Sequence, residues 1–471
     1  MWSRPIPFVE PVAAAARLWG RPGLAFLDSA MRHPQLGRWS YLAAEPFGRF
    51  AVRGGRAFWN GAPRDGAPLA VLREILAPYR TQAHPDLPPF QGGAIGYIAY
   101  DFAQNLERVV PPPRRAGLCD DLMLNLYDAV VAFDHHEGTC RLIASGFPAT
   151  DPDERAGRAG ERLDALEALL AAQEPEETRP EEIRPEAPRQ AVAPLAWRSN
   201  FTPHAYEQAV DTVRDFIRAG DIYQANIAQR FAADLPPGFD RFAFYRRLRA
   251  QNPATFAAYL ECGTLTVASS SPERFLRLDG RRIETRPIKG TAPRSPDPAE
   301  DEARAAALLA SDKERAENVM IVDLLRNDLS RIAAPHSVAV PLLCGLETYA
   351  GVHHLVSAVT GRLREGADAL DLLAACFPGG SITGAPKLRA MDIITQIEGD
   401  ARELYCGSIG WIGFDGSFDT SIAIRTVLLG PDQAVLQAGG GVTLLSDPAA
   451  EYRETLTKAE RVFAAFPDNA G

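Results

Sequence analysis

Ser408-Ile409-Gly410-Trp411-Ile412-Gly413-Phe414-Asp415-Gly416-Ser417-Phe418-Asp419-Thr420-Ser421-Ile422 decides the fold class. Apolar and β-branched residues bracket an Asp-Gly pair, whose glycine supplies the positive φ that a tight hairpin turn needs. The pattern predicts strands over Ser408–Phe414 and Phe418–Leu428, with a third over Ala434–Ala438. Helices are predicted on either side of them. Thr202 is an N-cap, Pro203 a first helical residue, and Tyr206, Ala209, Val210, Val213, Phe216 and Ile217 form an apolar stripe up to Gly220. A second helix is expected from Asp312 to about Ser330, and a third from Asp447-Pro448 past Phe463. The fold class is therefore α+β with long antiparallel pairing.

Upstream, Gly92–Tyr100 and Ala129–Phe133 read as strands and Asp153–Ala172 as an amphipathic helix. Glu174–Arg189 carries Pro175, Pro180, Pro185 and Pro188 among glutamates and arginines. Proline at that density blocks helix and ladder alike, which predicts a surface linker. The chain divides into residues 1–173, a linker at 174–195, and a region at 196–468; no internal repeat is visible.

The 471 residues are 46% hydrophobic and 23% charged, with a net charge of -10. That balance fits a globular enzyme and argues against general affinity for nucleic acid or anionic membranes. No stretch approaches the roughly 20 apolar residues of a membrane span, so a cytoplasmic protein acting on small molecules is expected. Cys119, Cys140, Cys262, Cys344, Cys376 and Cys406 are far apart, with no C-x-x-C pair, which argues against zinc and a disulfide frame.

Chemistry concentrates in the last 200 residues. Arg286-Pro287-Ile288-Lys289-Gly290-Thr291 places an amine where an extended segment turns; a lysine is a strong nucleophile only when desolvation or nearby charge keeps it neutral. Alternatively, it is a solvated turn lysine. Glu314 and Glu317 share one face of the second helix, and Glu451, Glu454 and Lys458 share one face of the third. If those faces meet, four carboxylates repel unless a cation lies between them, and hard oxygen ligands select magnesium. The alternative is two solvated acidic faces. Strand alternation sends Arg425 opposite Ile422 and Ile424, suited to gripping a carboxylate. Gly439-Gly440-Gly441, after a strand, lets backbone N–H groups approach an anion. Pro378–Lys387 lacks the Gly-Lys-Ser/Thr ending of a phosphate loop, which excludes nucleotide binding there.

These segments, with Gly220–Gln224, Ser271–Phe275 and Glu314–Asp328, resemble the chorismate-utilising enzymes, in that family's order and over most of the chain after residue 200. Lysine between Pro-Ile and Gly-Thr resembles the aminodeoxychorismate-forming branch; the anthranilate-forming branch carries alanine there. The resemblance implies two stacked antiparallel sheets flanked by helices, in one unit where N- and C-terminal segments interleave. It implies that Lys289 attacks C2 of chorismate as the C4 hydroxyl leaves, that ammonia resolves the adduct at C4, and that Glu273 is the general acid with His354 in the active site. Gln224 stands where water-adding members carry a lysine. Magnesium would be held by Glu317 and Glu454, with Glu314 and Glu451 positioning its waters. Tyr405, Arg425, the Gly439–Gly441 backbone and Lys458 would bind the enolpyruvyl carboxylate, and Gly290, Thr291 and Thr383 would seat the ring. A separate glutaminase subunit would supply the ammonia, since no cysteine here sits in a nucleophile's setting. Tryptophan in related enzymes occupies an N-terminal pocket, which here would involve Ser29, Arg38, Trp39 and Phe256; Thr255 departs from the usual proline. The other readings are an anthranilate synthase component and a non-catalytic subunit that keeps the fold; retention of all five glutamates argues against the latter.

Overall fold

The computed structural model describes residues 1–31, 36–172, 195–349 and 351–466, so the expected linker lies outside the described residues except for Leu195. Among them, two twelve-stranded sheets form, with antiparallel pairing throughout. The first sheet runs from Trp2–Ile6 at one edge to Arg198–Ser199 at the other, and the second from Ile288–Pro293 to Ala62–Arg64. Both mix the two halves of the chain: Ala25–Asp28 pairs with Phe256–Cys262, and Gly93–Ile98 with Ser408–Gly413. The regions at 1–173 and 196–468 thus share one double-sheet unit.

Alternation along the strands sorts the core into layers. Ala258 and Leu260 point between the sheets with Tyr41, Ile95 and Trp411. The intervening Tyr259 points outward, under Tyr245 and Leu163 from helices Arg241–Gln251 and Pro152–Ala171. Helix Asp312–Ser330 buries Ile321, Val322, Leu325 and Leu329 against the outer face of the second sheet. Each fully buried aliphatic side chain of this kind contributes about 1.5–3 kcal/mol. No helix among the described residues is long and apolar enough to cross a membrane.

The three expected C-terminal helices form over Pro203–Arg218, Asp312–Ser330 and Pro448–Phe463, and the Thr202, Ser311 and Asp447 side chains accept backbone N–H bonds at their starts. Two strand expectations are corrected. Phe418–Leu428 is not one strand: Phe418–Ile422 belongs to the second sheet and Thr426–Leu429 to the first. The chain changes sheets through Ala423–Arg425, with Arg425 at φ +50, so Arg425 sits at a corner and strand alternation does not set its direction. The last strand runs over Gln433–Val442, so Gly439–Gly441 lies within it rather than after it.

Candidate active site

Lys289 lies on the edge strand Ile288–Pro293, whose register with Val352–Arg362 shifts between Ile288 and Thr291. A shift of this kind re-aims a side chain, and Gly290 at φ +86 supplies the turn. The Lys289 ammonium lies 3.4 Å from Glu317 Oε2, with 15% of its side chain exposed. A Cβ at Gly441 would come within 2.7 Å of Lys289 Nζ and 2.2 Å of Gln224 Nε2. Only glycine leaves room for both side chains. Gln224, the first residue of strand Gln224–Asp234, is 1% exposed, and its Oε1 has no hydrogen-bond partner. A buried unpaired acceptor costs free energy that a ligand donor would recover.

The glycine strand shapes the site by close approach on one side and openness on the other. At Gly439 a Cβ would meet the Ile227 carbonyl at 2.3 Å, so the paired strands need glycine there. Toward the other neighbour, Thr426–Leu429 pairs only with Ala434–Leu436, leaving Gly439–Gly441 without a strand on that edge among the described residues. Backbone N–H groups on that edge are open to an anion, while the Gly439 carbonyl accepts from Lys458.

The two glutamate pairs converge. Glu314 and Glu317 come from the first turns of helix Asp312–Ser330, and Glu451 and Glu454 from those of Pro448–Phe463. A Cβ at Gly440 would sit 3.1 Å from Glu451 Oε2 and 3.4 Å from Glu454 Oε1, and one at Gly290 would sit 3.0 Å from Glu314 Oε2. Burial, then the Glu317 charge, raises the Glu314 pKa, to which Glu454 adds from the facing helix. Burial likewise raises Glu451, which accepts from Ser446 Oγ at 2.7 Å. Burial alone would raise Glu454 too, but Lys458, 2.5 Å away, holds it below its ordinary value. No three potential ligands among the described residues form a coordination group as these side chains lie; lysines stand against Glu317 and Glu454. The donor set is all oxygen, and its mutual repulsion fits a hard divalent cation.

Glu273 is buried, and burial pushes its carboxyl up to about 7 against the opposing pull of Ser381, Lys289, the Ile288 backbone and Arg425. Ser381 Oγ donates to Glu273 Oε1 at 2.7 Å. The group is thus half protonated near neutrality, as a general acid requires. His354 is pushed down to about 4 by burial first and then by Arg425, so its imidazole is neutral, with Nδ1 2.8 Å from the Thr291 hydroxyl. Thr383 is buried and donates to the Gly379 carbonyl at 3.1 Å. Tyr405 is buried with the Arg402 guanidinium 5.6 Å from its ring centroid. Arg425 forms no ion pair with a carboxylate among the described residues, and burial and neighbouring Arg461 lower its pKa. A half-buried, strongly desolvated guanidinium without a carboxylate partner, beside an open backbone edge, suits an anion.

Lys458 is committed to Glu454 and the Gly439 carbonyl, 3.0 Å away, so it fixes the carboxylate and the glycine strand and does not present a free ammonium. Lys387 is bonded to Asp328 at 2.6 Å and to the Cys376 and Pro378 carbonyls, a structural anchor at the start of its helix. The sequence did not mark Ser381 or Arg461. A hydroxyl within a glycine-rich loop was the available signal for the first; nothing local marked the second.

Ser29, Arg38, Trp39 and Phe256 line a cavity of about 360 Å³ between the sheets, together with Arg274 and Asp419. Burial raises the thiols of Cys119, Cys140, Cys262, Cys376 and Cys406, Cys140 and Cys406 to about 12, which opposes a thiolate nucleophile at any of them.

Residues 27–464 match the chorismate binding enzyme family. The aminodeoxychorismate synthase component 1 of Salmonella typhimurium is 42% identical over 84% of this chain and 81% of its own length. The anthranilate synthase component 1 of Mycobacterium tuberculosis is 40% identical over 97% of this chain and 90% of its own. Among solved structures, anthranilate synthase component I from Streptococcus pneumoniae superposes with a TM-score of 0.78 at 33% identity, covering 92% of this chain and 93% of that one. A menaquinone-specific isochorismate synthase from Escherichia coli shares the fold, with a TM-score of 0.71 at 18% identity over 98% and 94% of the two chains.

Proposed function

Because this chain belongs to the chorismate binding enzyme family, we propose that it is the chorismate-aminating component of an aminodeoxychorismate synthase. It would convert chorismate and ammonia to 4-amino-4-deoxychorismate, for 4-aminobenzoate and folate biosynthesis. The carrying observation is Lys289, whose amine stands against Gly441 and Glu317 at the centre of the site. Relatives of near-equal identity are named as anthranilate synthase components, so overall similarity does not choose the product. Position 289 supports C4 amination, since the resemblance assigns lysine there to that branch and alanine to anthranilate formation.

In this reading the Lys289 nitrogen lone pair bonds to C2 while both ring double bonds shift, one to C1–C6 and the other to C4–C5, and the C4–O bond breaks. Glu273, with a pKa of about 7, gives its proton to the departing hydroxyl, which leaves as water. The adduct nitrogen sheds one proton, which restores the Glu273 acid. Ammonia then bonds to C4, both double bonds shift back, and the C2–N bond to Lys289 breaks as the proton shed by the new C4 nitrogen passes to the departing lysine amine. Arg425 and the open edge of Gly439–Gly441 hold a carboxylate, and the neutral His354 with Thr291 packs against the ring's hydroxyl side. Glu317 and Glu454, supported by Glu314 and Glu451, would hold magnesium, which when bound neutralises substrate carboxylate charge. The buried Gln224 acceptor offers no base for water, which supports amination over hydration.

The test is incubation with chorismate, magnesium and ammonium, followed by mass identification of the product. 4-Amino-4-deoxychorismate is expected; anthranilate alone, or no turnover, would refute the assignment.

A further inference from the structure

The carboxylate subsite at Arg425 lacks a cation that the sequence predicts for it. Lys458 is committed to Glu454 and the Gly439 carbonyl. A replacement stands one turn further along the same helix. Glu451, Glu454, Lys458 and Arg461 follow at i, i+3, i+7 and i+10 of Pro448–Phe463, so all four share one face. At 1.5 Å per residue Arg461 lies about 10 Å along the axis from Glu454, which gives that face an acidic end and a basic end.

The Arg461 guanidinium reaches the residues that line the site. A Cβ at Gly351 would lie 3.7 Å from Arg461 Nη1. The turn that holds Gly351 is closed by the Tyr349 N–H on the Val352 carbonyl at 2.8 Å, and it leads into His353 and His354 on strand Val352–Arg362. The Tyr349 and His354 rings pack with centroids 5.4 Å apart. His354 in turn meets Thr291, two residues from Lys289, at 2.8 Å. Toward the corner at Ala423–Arg425, Arg461 is close enough for its charge to lower the Arg425 pKa.

Two guanidiniums so placed repel, and neither forms an ion pair with a carboxylate among the described residues. A cation in the last turn offsets the partial negative charge of a helix C-terminus, which accounts for a basic residue there. It does not account for one set beside a second unpaired guanidinium. An anion between the two turns one repulsion into two attractions.

We infer that Arg461 is a substrate-binding residue, the second guanidinium on the enolpyruvyl carboxylate that Arg425 grips from the other side. The inference rests on the carboxylate subsite of the proposed function. Arg425 is half-buried and fixed at the corner between the sheets, whereas Arg461 is exposed at the end of a helix. The first therefore sets where the carboxylate lies, and the second closes on it from the solvent side. An exposed arginine is ordered only as the anion arrives, so its contribution is to affinity and entry rather than to the ring chemistry.

The test is steady-state kinetics of the full chain with ammonium, magnesium and varied chorismate, comparing the parent with Arg461→Gln and Arg461→Lys. Because Arg461 is exposed, the three thermal midpoints should agree within about 2 °C. Arg461→Gln should lower kcat/KM for chorismate about tenfold, carried by KM rather than kcat, as loss of one charge-assisted contact predicts. Arg461→Lys keeps the charge but not the fork, so it should lose only about threefold. Added salt should raise KM more steeply in the parent than in Arg461→Gln. A parent-like KM in Arg461→Gln would overturn the inference, as would a fall carried by kcat alone. A lowered thermal midpoint with KM unchanged would also overturn it and leave Arg461 as a helix-terminal charge. Calorimetric titration with chorismate, without ammonium, gives the same comparison in the absence of turnover. If the parent forms anthranilate, the proposed function fails while the comparison of chorismate affinities still decides Arg461, so the two are read separately.

Discussion

The Lys289 site and the cavity at Ser29 are both polar hollows in one double-sheet unit, but they treat charge in opposite ways. Around the cavity every charge has its partner. Arg274 grips Asp419 at 3.0 Å and Glu284 at 2.9 Å, Arg38 meets Asp134 at 2.6 Å, and Arg249 meets Asp28 at 2.6 Å. Around Lys289 charge is left in excess. Arg425 has no carboxylate ion-pair partner among the described residues, Glu314 is raised by burial, Glu317 and Glu454, Glu451 is raised by burial and Glu454, and Gln224 Oε1 has no donor. Paired charges hold a shape; unpaired buried charges store a cost that a ligand of opposite sign removes. The two regions touch through one peptide bond, since Glu273 faces the site and Arg274 lines the cavity.

Removing the amine should have the largest effect. Lys289→Ala should lower 4-amino-4-deoxychorismate formation by about 10³-fold or more, because the step is then no longer split by a covalent adduct. The methyl group leaves room for ammonia near C2, so some anthranilate should appear. Chromatography of the products decides this, and parent-rate formation of the same product would show that Lys289 is not the nucleophile.

Glu273→Gln should cost about 10²–10⁴-fold, the usual worth of a general acid. In the parent the acid form is needed, so the proton-donating fraction is full well below pH 7 and falls as pH rises through about 7. Ammonium has the opposite slope, because the neutral nucleophile grows toward its pKa of about 9. The ammonium-dependent rate per free ammonia should therefore decline above neutrality, and a flat profile would remove Glu273 from the acid role.

Glu317→Gln and Glu454→Gln should each weaken magnesium binding by about 10–100-fold, with partial rescue by added magnesium. Titration calorimetry reads this without turnover. Parent affinity in both would mean that the carboxylates answer only to Lys289 and Lys458.

What the sequence made legible was whatever depends on local periodicity. The Asp312–Ser330 helix follows from its 3.6-residue pattern and cap, but the facing of Glu314 toward Glu454 needs one helix packed on Val352–Arg362 of the second sheet and the other on Gln433–Val442 of the first. Arg425 and Gly439–Gly441 show the limit. A strand that leaves one sheet for the other looks continuous in sequence, since apolar residues flank the corner on both sides and arginine is not a residue that advertises φ +50. Likewise, three glycines suggest a turn, whereas here Gly439 is required by the Ile227 carbonyl across from it, and Gly440 and Gly441 leave two carboxylates and the Gln224 and Lys289 side chains where they lie. Those demands come from distant segments and have no local signature.

The smallest effect is expected in the cavity, and it tests whether the peptide bond between Glu273 and Arg274 transmits anything. Ala258 is 1% exposed, points between the sheets and lines the hollow. Ala258→Leu would add its branched carbons to existing space of about 360 Å³, so the usual overpacking cost of about 1–3 kcal/mol should shrink to ~1 kcal/mol or less. The sequence expectation of a tryptophan pocket at Ser29, Arg38, Trp39 and Phe256 is tested at the same time: the filled cavity should lose any tryptophan affinity the parent shows by calorimetry. The ammonium-dependent rate without tryptophan should stay within about twofold, because the Arg274 ion pairs with Asp419 and Glu284 are satisfied whether or not the hollow is filled. A large fall in rate, with the thermal midpoint unchanged, would mean that filling the cavity moves Arg274 and carries Glu273 with it. The paired and unpaired regions would then be one device, and the contrast in their charge would describe its two ends.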